Sequence, residues 1–229
     1  MSGHRRVEYV PPGVDITERM TLNERLQHVL TFSSFILLAL TGLSIHLPRG
    51  FLRSWGIASP LVFEWRGYVH RGAGILLMAV GLWHLGYIAL TTRGRWQFQM
   101  LLPRKKDWED MKQMFRHFRD PENVPKPEFG WYSYIEKVEY LALVWGTFIM
   151  AVTGLILWVN EYSSKLLLDI AVIVHRYEAV LAVLAIAIWH CYHVHFAPDV
   201  FPMSRVWITG REPETEPDTS SHGIETVGS

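Results

Sequence analysis

The amino-acid sequence predicts an all-α fold: an integral membrane four-helix bundle, with both termini in the cytoplasm. Three observations predict it. Four apolar runs are long, histidines sit inside two of them at matching depth, and Lys and Arg are shared unevenly between the connecting segments. The runs are residues 28–47, 68–90, 138–159 and 170–196, each with roughly the 20 residues a helix needs to cross ~30 Å of hydrocarbon. In lipid a backbone must satisfy its own polar groups, and Leu-, Ala- and Ile-rich stretches of this length do so as helices rather than barrel strands.

Averages conceal this arrangement. Of 229 residues 49% are hydrophobic, yet the mean hydropathy is only +0.11, because charged connections dilute the apolar runs. The formal net charge is +0, and no nucleic-acid motif appears. A single cysteine, Cys191, excludes an internal disulfide and any zinc or iron–sulfur site built on several thiolates, and reads as a buried, inert thiol. The polar stretch 1–21, with Pro11 and Pro12, has no cleavable apolar core and is expected to be retained.

Orientation follows from the basic residues. Sixteen of the 22 Lys and Arg fall in the amino-terminal stretch, the connection 91–137 and the carboxyl-terminal segment, against six on the opposite side. The positive-inside rule therefore places both termini and the long connection in the cytoplasm. Within that connection Trp108, Met111, Met114, Phe115 and Phe118 recur at helical spacing, which predicts an amphipathic helix over 107–118 lying on the membrane face. Residues 120–130 hold three prolines and read as a linker. The transmembrane domain is expected over 1–210, followed by a disordered acidic tail over 211–229. Trp55, Trp65, Trp96, Trp131 and Trp207 fall near the boundaries, as an aromatic belt would.

The second and fourth runs echo one another. Each opens with Val-His-Arg and carries Trp-His about four turns later, giving His70 and His84, fourteen apart, and His175 and His190, fifteen apart. Both helices run in the same direction, so His70 and His175 share an outer level while His84 and His190 share an inner one, about 21 to 22 Å away. Two facing imidazoles at each level are a suitable axial pair for the iron of a haem, and filling both axial positions favours electron transfer over oxygen chemistry. No Cys-x-x-Cys-His pattern is present, so the expected cofactor is non-covalent haem b: two haems, or three if His28 and another histidine hold one. Arg71 and Arg176, beside the outer histidines, are placed to meet haem propionates. Gly67, Gly72, Gly74, Gly81 and Gly86 leave the second run free of bulk, so that a macrocycle could lie against it. His28 has three open roles: replacing His84 opposite His190, joining a third haem, or lining a quinone pocket. Matched depth from the inner helix ends, about six residues, favours His84 with His190. His46 reads as an interfacial histidine, and His193 and His195 follow His190 near the inner face. Ligands ~21 Å apart along a helix cannot converge on one zinc.

The segments ERLQHVLTFSSFILLALTGL (24–43) and YIEKVEYLALVWGTFIMAVTGLILWV (134–159), with the His175/His190 helix, resemble the b-type cytochrome subunits of membrane-bound hydrogenases, formate dehydrogenases and thiosulfate reductases. The His70/His84 helix is also similar to the haem helix of cytochrome b in bc-type quinol oxidoreductases. The resemblance implies a subunit of the bacterial inner membrane, relaying electrons between the quinone or menaquinone pool and partner subunits that carry iron–sulfur or multihaem centres. It also implies that a first-helix histidine pairs with the inner histidine of the fourth helix, here His28 with His190, and it supports His70 with His175. Two rival readings accompany it: a passive haem-containing anchor without a quinone site, and an ion transporter with a histidine relay.

Overall fold

The computed structural model describes residues 9–54, 56, 59–198 and 200–212. Arg5, Arg6, Trp55, nearly all of the expected acidic tail and the side chain of His46 lie outside the described residues. Four helices are long and apolar enough to cross a membrane, and no strand occurs among the described residues. They are α1 (Leu22–Leu43), α3 (Pro60–Leu90), α6 (Tyr134–Trp158) and α7 (Lys165–Leu184), the last continuing helically to Phe196. Shorter helices are α2 (Arg49–Ser54), α4 (Thr92–Leu101), α5 (Lys105–Arg119) and α8 (Val206–Thr209).

Hydropathy places the middle of each crossing; polar caps set where it starts. Thr21 with Glu24 and Ser133 with Glu136 form capping boxes at the starts of α1 and α6, each side chain meeting the other residue's backbone N–H. Ser59 caps α3 ahead of Pro60, and Ser164 caps α7. The helices therefore begin four to eight residues before the apolar runs do. At most 11% of each apolar window is buried, so the Leu, Ile and Phe side chains point outward, toward lipid.

Packing divides the bundle into two antiparallel hairpins, α1 with α3 and α6 with α7, which meet through α3 against α6 and α1 against α7. The amino-terminal segment, α4, α5, residues 120–133 and α8 form a layer over one end, here the terminal end. Two mostly buried ion pairs tie that layer to the helix starts: Arg93 to Glu24 at 3.2 Å and Arg19 to Glu136 at 2.7 Å. The Arg19 guanidinium also lies over the rings of Trp131 and Tyr132. Removing one member of such a pair strands the other charge and costs about 3–5 kcal/mol. Met20 N–H donates to Gly210 O, and a Cβ on Gly210 would lie 2.5 Å from Met20 O, so this left-handed residue must be glycine.

This layer adds one element and corrects one expectation. The helix α4 was not foreseen, because its sequence, TRGRWQFQML, is too polar to register as an apolar run. Trp96 and Trp131 do not join an aromatic belt. They are buried with ring centroids 5.3 Å apart, and the Trp96 indole donates to Tyr9 O. The α5 helix forms as the periodicity predicts, with Trp108, Phe115 and Phe118 exposed and Asp107 holding Lys137 of α6 at 2.8 Å.

Candidate functional site

The two hairpins repeat one another beyond the Val-His-Arg signal. A constant offset of 112 residues relates Thr21 to Ser133, Glu24 to Glu136, Gln27 to Glu139, His28 to Tyr140, and Thr41-Gly42-Leu43 to Thr153-Gly154-Leu155. An offset of 105 relates Val69-His70-Arg71 to Val174-His175-Arg176, growing to 106 for Trp83-His84 and Trp189-His190. The extra residue is accommodated in α7 by π-helical turns over Ala185–His190. Fifteen α-helical residues overshoot four turns by about 60°, whereas fourteen fall short by about 40°. The π turn absorbs the surplus and returns His190 toward the face that carries His175.

At the end away from the termini, His70 of α3 and His175 of α7 face one another with ring centroids 6.3 Å apart. Each ring is held from behind in the same way. Thr41 Oγ1 lies 2.8 Å from His70 Nδ1, and Thr153 Oγ1 lies 2.9 Å from His175 Nδ1. Each hydroxyl spends its single hydrogen on a backbone carbonyl one turn back, Leu37 or Ile149, so toward the ring it accepts. Both imidazoles therefore carry their proton on Nδ1 and keep the Nε2 lone pair free, the orientation that an oxygen hydrogen-bonded behind the ring imposes on metal-bound histidine. Gly42 and Gly154 make room: a Cβ on either would lie 3.3 or 3.4 Å from the ring Cε1.

A haem iron fits this pair. With metal–nitrogen bonds of about 2 Å and each ring centre roughly 1.2 Å behind its nitrogen, two axial imidazoles put their centroids about 6.4 Å apart. Arg66, one turn before His70, donates to Thr41 O at 2.9 Å, while its Nε is buried without a partner. Arg71 lies beside Tyr68 and Trp158, and Arg176 is exposed. All three guanidinium groups belong to this end. Of the glycines expected to leave room for a macrocycle, Gly72, Gly81 and Gly86 border open space, while Gly67 lies against Arg71 and Gly74 against Leu38; Gly42 and Gly154, on the partner helices, stand against the histidine rings.

At the terminal end the halves differ. His190 Nδ1 faces the Glu139 carboxylate at 3.4 Å, which leaves its Nε2 free, and His28 is within its electrostatic reach. His28 Nδ1 is buried without a partner. His84 has both nitrogens engaged, Nδ1 with Gln27 Oε1 at 2.8 Å and Nε2 with Tyr140 Oη at 3.0 Å. Depth counting put His84 and His190 at one level, but the hydrogen bonds of His84 lead to α1 and α6. His193 Nδ1 is 2.8 Å from Trp189 O and 3.8 Å from Glu139. Among the described residues no group of three or more His, Cys, Asp or Glu side chains is arranged to hold a metal ion.

The sequence reading missed Thr41, Thr153, Gly42, Gly154, Gln27, Glu139, Tyr140 and Arg66. The repeated Thr-Gly-Leu, at one offset from both capping boxes, was the available signal. The family model described as prokaryotic cytochrome b561 matches residues 19–202, which spans all four crossings and every histidine discussed above. No curated protein matches the chain.

Proposed function

The chain belongs to the prokaryotic cytochrome b561 family of membrane b-type electron-transfer proteins, and from that premise we propose that it is the dihaem subunit of a respiratory complex in the bacterial inner membrane. It exchanges electrons between the quinone pool and a partner subunit bearing iron–sulfur or multihaem centres. The observation that carries this reading is the facing pair His70 and His175, both with Nδ1 held by a threonine and Nε2 free.

A b haem held by two imidazoles supplies reversible one-electron exchange with no open coordination position. His70 and His175 are the outer ligands, and His28 with His190 the inner ones. His84 leaves the ligand set, because Gln27 and Tyr140 engage both of its nitrogens. Arg66, Arg71 and Arg176 receive the outer propionates through charge-assisted hydrogen bonds. Levels about 21 Å apart carry electrons across the apolar layer, with both termini and the terminal layer in the cytoplasm. The helix α5 rests its Trp108, Phe115 and Phe118 face on that leaflet.

Pyridine haemochrome analysis of the purified chain tests the proposal. Two non-covalent b haems per polypeptide are expected, both reducible by a quinol; a chain without haem overturns it. A chain that holds two haems but accepts electrons from no quinol is the passive anchor instead.

A further inference from the structure

We infer that Tyr140 and His84 are the proton-exchanging pair of the quinone site, an inference that rests on the quinone-reactive reading above. Tyr140 stands on α6 at the position that His28 holds on α1, and His84 stands on α3 where His190 stands on α7. The inner level is thus built twice. One copy pairs two imidazoles; the other pairs an imidazole with a phenol, exchanging a metal-binding lone pair for a hydroxyl that can pass a proton. An intramembrane histidine is costly to keep, and both nitrogens of this one are engaged by side chains.

The hydrogen bonds of this copy share one direction. Gln27 Nε2 donates to Asn23 Oδ1, which turns its Oε1 toward His84 and fixes the His84 proton on Nδ1. Nε2 is then an acceptor, and Tyr140 O–H donates to it. With its hydrogen spent, Tyr140 Oη can only accept from a further group. A hydroquinone hydroxyl is such a donor. As its O–H bond breaks, the proton passes to Tyr140 Oη while the phenolic hydrogen of Tyr140 moves to His84 Nε2, leaving an imidazolium. The electron leaves to the one-electron carrier that the family supplies. The second proton and electron follow the same path once His84 has released the first proton to the terminal end, about 9 Å away at six residues from the end of α3. In the opposite direction the imidazolium holds Tyr140 with its hydrogen turned outward, toward a quinone carbonyl. The titratable groups around His84 are Tyr140 from α6, Glu24 from α1 and, on its own helix, Tyr87, whose hydroxyl donates to Glu24; Arg93 pairs with that carboxylate.

Tyr140→Phe and His84→Gln in the full-length haem-loaded protein test the pair, with decylubiquinol and a menaquinol analogue as donors and dithionite as an electron source that needs no proton acceptor. Both variants are expected to keep two haems by pyridine haemochrome and to be reduced by dithionite like the parent, while quinol-driven reduction slows about tenfold to a hundredfold. The parent rate should rise with pH across the histidine range and the His84→Gln profile should flatten. Unchanged quinol rates in both variants overturn the pair and leave the quinone reading standing. Loss of a haem from His84→Gln also overturns it, by making His84 a ligand. Failure of the parent to accept electrons from any quinol overturns the pair and the quinone reading together.

Discussion

At the end away from the termini the two hairpins are alike, and at the terminal end they are not. Thr41, Gly42 and His70 are matched by Thr153, Gly154 and His175, down to hydrogen bonds that differ by 0.1 Å. At the terminal level the repeat sets Glu139 where the first half has Gln27, and Tyr140 where it has His28. The outer iron proposed between the halves would ask the same of each half. At the terminal level two pairs join one half to the other, His28 with His190 and His84 with Tyr140, and only the first pairs two imidazoles, so the halves are free to differ there.

The most damaging test of this comparison removes an outer ligand. His70→Ala and His175→Ala should each lower haemochrome stoichiometry from two to one, and to the same extent, because either loss leaves a single axial imidazole. His28→Ala and His190→Ala should each remove the other haem, while His84→Ala keeps both. If His84→Ala loses a haem and His28→Ala does not, the inner assignment is reversed.

A milder perturbation leaves the ligands and fills their space. Gly42→Leu or Gly154→Leu places a branched side chain where a Cβ alone already stands 3.3 or 3.4 Å from the imidazole. The ring must swing off axis, so outer haem occupancy should fall well below one per chain, with the inner haem retained. Equal effects from the two substitutions confirm that the halves support their ligands alike; a full complement in either variant sinks that equivalence.

How much of this was legible in the sequence depends on which residues carry the information. Apolar length alone locates four crossings, since Leu, Ile and Val in runs of about 20 have few alternatives. Helix starts were not legible from hydropathy, because Thr21, Ser59, Ser133 and Ser164 are polar and lie outside the runs. The outer pair was legible: two Val-His-Arg signals on helices of the same direction must share a level. The inner pairing was not, because helical rise places His28, His84 and His190 near one depth and says nothing about which imidazole keeps a free nitrogen. The inner pairing proposed above rests on Gln27, Glu139 and Tyr140, which read as ordinary polar residues at a membrane boundary until their neighbours are known.

Smaller effects probe the groups behind the rings. Thr41→Val and Thr153→Val each remove a neutral hydrogen bond worth about 1 kcal/mol, so the outer midpoint potential should move by about 40 mV, measured by redox titration. Glu139→Gln removes a carboxylate from behind His190 and makes that position chemically like Gln27 in the other half. Without the negative charge the oxidised iron site is less stabilised, and the inner potential should rise by tens of millivolts. A rise confined to the outer potential means that Glu139 does not address the inner site.

The smallest expected change is the most specific to the repeat. Deleting Ile186 from the π-helical turn shortens the His175 to His190 spacing to fourteen, the value found between His70 and His84. If the surplus residue is taken up locally, an uninterrupted α-helix presents the same face beyond it, and the variant keeps two haems with potentials near those of the parent. Deleting Leu181 instead, within the regular part of α7, tests whether the π turn can relax to repair the register from a distance. Retention of both haems in both variants means that the surplus is mobile along the helix. Loss of the inner haem from the Ile186 deletion means that the π turn positions His190 in a way a regular helix cannot, and that the fourth crossing is no simple copy of the second.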